Sequence, residues 1–397
     1  MYMHQRMSLV LMSFAVAGAA WAHPEYKVTV VGPAGSVATD INQAGVVVGN
    51  YQARPGVTHA FLNRGRGLVD LGTLKGSSSN AAAINDRGQV LGHWTTRGGQ
   101  VRGYIYDKGK LRDIGTIGGR ATTWTDINNA GYISVYAADP VLPDGTPGGN
   151  TSYLRAPNGT LTQLPDLPFT DPLYPQLTEA RALNNKNQVT GGSGPGEPID
   201  FFLRGFIWSR GQIRDIGDLG PRVPVNPEAI NDRGQVTGSA GGRGIGREAF
   251  IYYRGRIVSI DSSPPGTGPF SGGTGINNRG HVVGFGFSTG PATSSGFIWR
   301  GRRMESLNAL IDPRQGWSIT FPQAINDAGQ IAATAFRNGR SYAVRLDLIR
   351  PYANAVPPAE PDEEASVEPS LSSEAAAAQA KQEAEAAARE VAQPVAQ

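Results

Sequence analysis

Short apolar runs alternate with glycine- and asparagine-bearing turns along most of the chain. The stretch from 81 to 115 has the cleanest form. Ala81 to Ile84 is one run, Asn85-Asp86-Arg87-Gly88 a turn and Gln89 to Trp94 a second run; a polar loop then leads to Gly103-Tyr104-Ile105-Tyr106, and Asp107-Lys108-Gly109-Lys110 turns into Leu111-Arg112-Asp113-Ile114-Gly115. Runs this short, rich in aromatic and β-branched residues and broken by glycine, predict strands and not helices. Asn and Asp side chains bond to nearby backbone in such turns, and glycine supplies positive φ. The unit is therefore four short antiparallel strands.

The unit repeats. Ile-Asn-x-x-Gly or a close variant begins at Ile41, Ile84, Ile127, Leu183, Ile230, Ile276 and Ile325, in steps of 43, 43, 56, 47, 46 and 49 residues. Third and fourth strands recur in register, as in Gly205-Phe206-Ile207-Trp208 with Ile213-Arg214-Asp215-Ile216-Gly217. A repeat of this length marks a propeller or solenoid. The seventh unit has no fourth strand before the pattern ends, whereas Tyr26 to Gly32 is a strand with no unit of its own. The expected fold is thus all-β, a seven-bladed β-propeller of four-stranded blades, closed by the amino-terminal strand as outer strand of the last blade. An open β-solenoid is the alternative; its ends would need special caps.

Composition changes the picture mainly at the ends. Arg6 precedes an apolar run from Met7 to Ala20, and Ala20-Trp21-Ala22 offers a cleavage point, so residues 1–22 read as a secretory signal peptide. The run is shorter than the roughly 20 apolar residues of a membrane span. The propeller is assigned to 23–350. Residues 351–397 form an acidic Pro-, Glu- and Ala-rich tail, expected to be disordered or partly helical. Residues 355–397 carry a charge of −7 and residues 23–354 a charge of +9, so the whole-chain value of +3 conceals a basic body. With 17% charged residues the body still lacks a nucleic-acid footprint. The chain has no cysteine, which excludes disulfides and thiolate metal sites.

His59-Ala60-Phe61, the Asn-x-x-Gly turn and the Asp-Leu-Gly strand together resemble the HAF-repeat family of bacterial secreted or extracellular proteins, and relaxed copies fill the chain. The resemblance implies export, to the periplasm or beyond and with surface association as one form, and supplies no catalytic residues.

If the strand containing Ile84 is innermost, the Asn turns share one face, and loops joining second to third strands gather on the other. Extra length there, at 137–151, 165–178 and 191–202, marks the expected recognition face. Trp124, Tyr174 and Trp317 do not recur and stand near inner-strand entries, which makes them candidate ligand contacts. Asp139, Asp144 and Asp171 are polar candidates, and with Asp166 they form the one loop cluster to weigh for Ca²⁺, although the spacing does not match an EF-hand. Asp70, Asp113 and Asp215 recur in fourth strands and are read as turn-capping groups. Arg87, Lys186, Arg233 and Arg279 recur beside the inner strand, either as solvated turn charges or as a positive ring at one channel mouth.

No nucleophile elbow, phosphate loop or His-Glu-x-x-His motif is present. Cleavage after Ala22 would expose His23, whose amine and imidazole bind Cu²⁺ when a second histidine lies near. The expected function is a secreted, monomeric binding or scaffold protein that recognises a glycan or protein surface through the loop-rich face, with no cofactor and no specific nucleic acid. The alternatives are a carbohydrate-active lyase or hydrolase sited at the channel, with Glu228 among its converging residues, and a copper enzyme.

Overall fold

The structure, a computed structural model, describes residues 24–143, 145, 148–168, 176–195, 203–220, 223–242, 246–261, 270–287 and 294–350. Residues 1–23, with the expected signal peptide and His23, residues 351–397, with the expected tail, and Asp144, Asp171 and Tyr174 lie outside them.

The described strands form seven four-stranded antiparallel blades. Their inner strands are Val37–Ile41, Ser78–Ile84, Thr122–Ile127, Gln176–Leu183, Val225–Ile230, Phe270–Ile276 and Ser318–Ile325, numbered here as blades 1 to 7. Each inner strand touches the next, and that of blade 7 touches that of blade 1, so the sheets close as a circle about a channel. Blades 3 and 4 are joined at one edge by a single parallel bridge between Asn150 and Leu177. Blade 7 is completed as its missing strand requires: Tyr26–Val30 pairs antiparallel with Arg340–Leu348 and lies outermost. A propeller built this way has no open end to its array.

The Asn of each Ile-Asn-x-x-Gly phrase explains why that phrase repeats. Its Oδ1 accepts the backbone N–H four residues on, as in Asn85 from Gln89 and Asn231 from Gln235. Its Nδ2 donates to the carbonyl oxygen of the equivalent Asn in the next blade: Asn42 to Asn85, Asn85 to Asn128, Asn128 to Asn184, Asn184 to Asn231, Asn231 to Asn277, Asn277 to Asn326, and Asn326 back to Asn42. The seven bonds span 2.8 to 3.1 Å and join buried groups. Only a short carboxamide offers an acceptor to its own turn and a donor to its neighbour at once. A second circle lies beside the first. The backbone N–H of each following residue donates to the side chain of its counterpart, from Gln43 to Asp86 onward and from Asp327 back to Gln43.

The apolar positions pack between blades. In blades 1, 2, 4, 5 and 6 the second strand carries a glycine opposite an aromatic of the third: Gly49 with Phe61, Gly92 with Tyr104, Gly191 with Phe206, Gly238 with Phe250 and Gly284 with Phe297. A Cβ at Gly284 would sit 2.6 Å from the Phe297 ring, so the bare backbone is what admits the aromatic. At the outer edge Asp70, Asp113 and Asp215 accept the N–H of Gly72, Gly115 and Gly217, the turn-capping role expected of them. Each also pairs with the start of the third strand, Asp70 with His59 Nδ1 at 2.9 Å, Asp113 with Arg102 at 2.7 Å, and Asp215 with Arg204. The histidine of the His-Ala-Phe tripeptide is thus one version of a cross-strand polar pair.

Candidate functional site: the central channel

Every inner strand has a register irregularity at the same place, three residues before its Asn. A bulge leaves one residue unpaired and re-aims its side chain. The residues set in this way are Thr39, Ala82, Thr125, Arg181, Glu228, Thr274 and Gln323, and all seven line one cavity of about 1000 Å³. The scaffold is repeated, but its projecting groups are not. Blade 4 contributes a guanidinium, blade 5 a carboxylate, and the rest hydroxyls, a carboxamide and a methyl.

Charge is paired across the wall. Arg181 lies 2.8 Å from Glu179 and 3.6 Å from Glu228. Burial raises the Glu228 carboxyl, against the lowering effect of Arg181 and Arg247. The blade 5 to 7 side adds Arg247, Ser239, Phe285 and Phe270. Phe270 is 52% exposed, and Phe285 meets Phe321 edge-on at 5.7 Å. These groups stand at the strand ends away from the Asn turns. The cavity therefore opens on the face that carries the loops between second and third strands.

Two further acids occupy the wall one residue closer to the Asn. Asp40 accepts the N–H of Ile41 at 2.7 Å and of Ile84 in the next blade at 2.8 Å. Asp126 repeats the arrangement with Ile127 and Leu183. Burial, with the nearby Asp126 charge, pushes Asp40 up to about 8 despite its two backbone donors; burial also raises Asp126. An acid whose folded pKa lies above its unfolded one adds stability that is fully present below about pH 4 and is lost as pH rises through about 8. Melting temperature should accordingly fall between pH 5 and 8 with a contribution of at most about 1.4 kcal/mol per pH unit, reduced by water in the channel. Asp40→Asn should flatten that slope. Thermal melts of both proteins across this range check it, and an unchanged slope would remove Asp40 as the source.

The structure redistributes the residues singled out from sequence. Trp124 is 1% exposed and packs against Gly103 of blade 2; it fills the layer between blades and does not line the channel. Its backbone N–H donates to His93 Nε2 at 3.0 Å, and burial lowers that imidazole's pKa. Trp317 is half-buried, edge-on to Tyr342 at 5.4 Å and beneath the Arg337 guanidinium, outside the channel wall. Asp139 pairs with Arg120 at 2.6 Å and accepts from Thr151; with Asp166, Val141 and Leu142 it lines a separate hollow of about 400 Å³. Among the described residues, Glu228 is the sequence candidate that reaches the cavity.

A positive ring is not what lines the turn-side mouth. Gln43, Asp86, Asn129, Asn185, Asp232, Asn278 and Asp327 do so, and Arg279 donates to the Asp327 carbonyl. The basic side chains stand one position further on, outside the circle of amides and acids. Among the described residues no three His, Asp or Glu come together as a metal site, and no helix is long and apolar enough to cross a membrane. Arg181, Thr274 and Gln323 were not legible as site residues. The available signal was variation three residues before a repeated Asn.

No family model matches the chain, and no curated protein matches it. Solved structures do. An oligogalacturonate lyase from Vibrio parahaemolyticus aligns with a TM-score of 0.52 at 12% identity, over 82% of this chain and 98% of that one. A prolyl endopeptidase aligns at 0.50 and 11% identity, over 83% of this chain and 51% of that one. An acylaminoacyl peptidase from Pyrococcus horikoshii aligns at 0.47 and 10% identity, covering 78% of this chain and 51% of the other. The chain thus spans about half the length of either peptidase. At these identities the first two likenesses establish one thing, the fold, in agreement with the seven closed blades described above.

Proposed function

We propose that the protein is an exported bacterial propeller of the HAF-repeat kind that binds a glycan in the channel mouth of blades 5 to 7. The observation that carries the reading is the ring of bulged residues, where a repeated scaffold presents five kinds of side chain, with arginine, glutamate and glutamine each occurring once. Gln323 and Ser239 offer a carboxamide and a hydroxyl of the kind that bond sugar hydroxyls, and Thr274, whose Oγ1 donates to the Pro322 carbonyl, offers an acceptor. Beside them the exposed Phe270 ring offers an apolar face for the C–H side of a sugar ring. Pockets of this size hold small ligands by apolar walls and a few placed polar groups.

A binding role is favoured over catalysis by how the perturbed acids are used. Asp40 and Asp126 each commit both oxygens to backbone amides as braces between blades, and Glu228, the third raised acid, is paired with Arg181 at 3.6 Å. The apolar run from Met7 to Ala20 and the cleavage point at Ala20-Trp21-Ala22 support an exported location, with which the absence of cysteine is compatible.

The test is a glycan array probed with wild type and with Phe270→Ala. Phe270 is exposed, so the variant should melt within about 1 °C of wild type. Loss of an aromatic platform should weaken binding about tenfold or more. Binding that ignores the substitution would place recognition elsewhere, and an array with no hits would overturn the glycan reading.

A further inference from the structure

We infer that the channel sector of blades 5 to 7 receives a carboxylate on the backbone amides of Ile230, Ile276 and Ile325, so that the glycan it binds is an acidic sugar of the uronate class. This rests on the channel-binding reading and adds the ligand's charge.

The argument starts from strand geometry. In all seven blades the Asn backbone N–H bonds into its own turn, to the carbonyl four residues on. Neighbouring residues of an antiparallel strand send their N–H groups to opposite edges. The residue just before each Asn therefore aims its amide away from its own sheet, toward the channel. A channel-facing amide in a protein wall calls for an acceptor.

Blades 1 to 4 supply that acceptor from within. The Asp40 carboxylate bridges the amides of Ile41 and Ile84, at 2.7 and 2.8 Å, and the Asp126 carboxylate bridges those of Ile127 and Leu183 at the same two distances. One carboxylate spans two adjacent blades each time. Blades 5, 6 and 7 have Ala229, Gly275 and Ala324 at the equivalent position, with no oxygen to offer. The amides of Ile230, Ile276 and Ile325 meet no side-chain acceptor among the described residues, and all three residues line the cavity.

The uncapped amides are consecutive, and the cavity is built around them. Gly275 lets two inner strands approach closely, since a Cβ there would lie 2.9 Å from Ala324 Cα and the Gln323 carbonyl oxygen. Arg247 lines the same cavity from its loop-side end, and Glu228 is held by Arg181. Asp40 and Asp126 thus act as an internal cast of the missing ligand. A free carboxylate placed two or three blades further round than Asp126 would make the contacts they make, and successive backbone amides form anion-binding concavities elsewhere by the same means. A sugar hydroxyl can accept from such amides through one neutral oxygen; a carboxylate meets two of them with one oxygen each and a negative charge, the arrangement that Asp40 and Asp126 display.

Backbone donors cannot be removed by substitution, so the test fills the site and watches it. Isoleucine-15N-labelled protein is titrated with uronate oligosaccharides and with the same oligosaccharides after reduction of their carboxyl groups to alcohols. The expected result is a downfield shift of the Ile230, Ile276 and Ile325 amides with the acidic series, while Ile41, Ile84 and Ile127, already capped, stay in place. Reduction should weaken binding about tenfold to hundredfold. Ala229→Asp, which builds a third internal cap across Ile230 and Ile276, should abolish the shift at those two amides, whereas Ala229→Ser should keep most of the affinity. Equal binding of acidic and reduced sugars would overturn the carboxylate inference and leave the glycan reading standing. Binding with unmoved Ile230, Ile276 and Ile325 amides would overturn it too. Absence of binding by either series, together with an array that has no hits, would sink the underlying reading.

Discussion

Removing residues 24–31 is expected to leave no stably folded monomer. Tyr26–Val30 supplies the whole outer strand of blade 7, in register from Tyr26 opposite Leu348 to Val30 opposite Val344. Tyr26 is 1% exposed and belongs to the core beneath blade 7, with Leu307, Ile311 and Leu346. Glu25 ties the same segment to Arg300 at 2.6 Å, and its carbonyl accepts from Ile349. Tyr26→Ala alone should cost about 3–5 kcal/mol. Deleting the segment also uncovers the edge of Arg340–Leu348, a template for pairing with another chain. Together these losses reach the roughly 5–15 kcal/mol that a folded domain has in reserve. Size-exclusion chromatography and a thermal melt of the truncated protein decide the matter. A truncated monomer that melts within a few degrees of wild type would mean the circle closes without its last strand.

Asn231→Ala should lower stability by about 3 kcal/mol, or roughly 5 °C in melting temperature for a body of this size. The side chain is 5% exposed and makes four bonds: Nδ2 to the Asn277 carbonyl and to Gln235 Oε1, both 2.8 Å, and Oδ1 from the amides of Arg233 and Gln235, both 3.0 Å. Alanine leaves buried donors and an acceptor without partners, which costs more than the bonds themselves contribute. Asn231→Asp should be at least as damaging, because it turns a carboxylate oxygen toward the Asn277 carbonyl. Denaturant melts of the two variants check this. A change below about 0.5 kcal/mol in both would mean that water replaces the ring bond without loss.

The fold was legible because its signals are local and repeated. Ile-Asn-x-x-Gly fixes both a turn and a link between blades, so each copy reports the same geometry, and Asn187 replaces the glycine of blade 4 at φ 58 without changing the turn. The unpaired strand at Tyr26 announced closure before any coordinate did. The site was less legible, for two reasons. A bulge is a property of pairing between strands, so nothing in Gln-Ala-Ile-Asn marks Gln323 as the residue that projects. Amides carry no side-chain identity at all, and Ile230, Ile276 and Ile325 read in sequence only as core. Trp124 misled for the opposite reason. Its failure to recur suggested contact with a ligand, whereas it compensates for Gly103 in the adjacent blade. Asp139 similarly anchors its own hairpin through Arg120 and Thr151.

The circle of asparagine carboxamides runs head to tail in a single sense. Seven equal dipoles set end to end around a closed loop sum to almost nothing along the axis, while each still polarises the next. The belt can therefore tighten the assembly without itself lending an electric preference to that opening, where selection by charge is left to Asp86, Asp232 and Asp327 beside it.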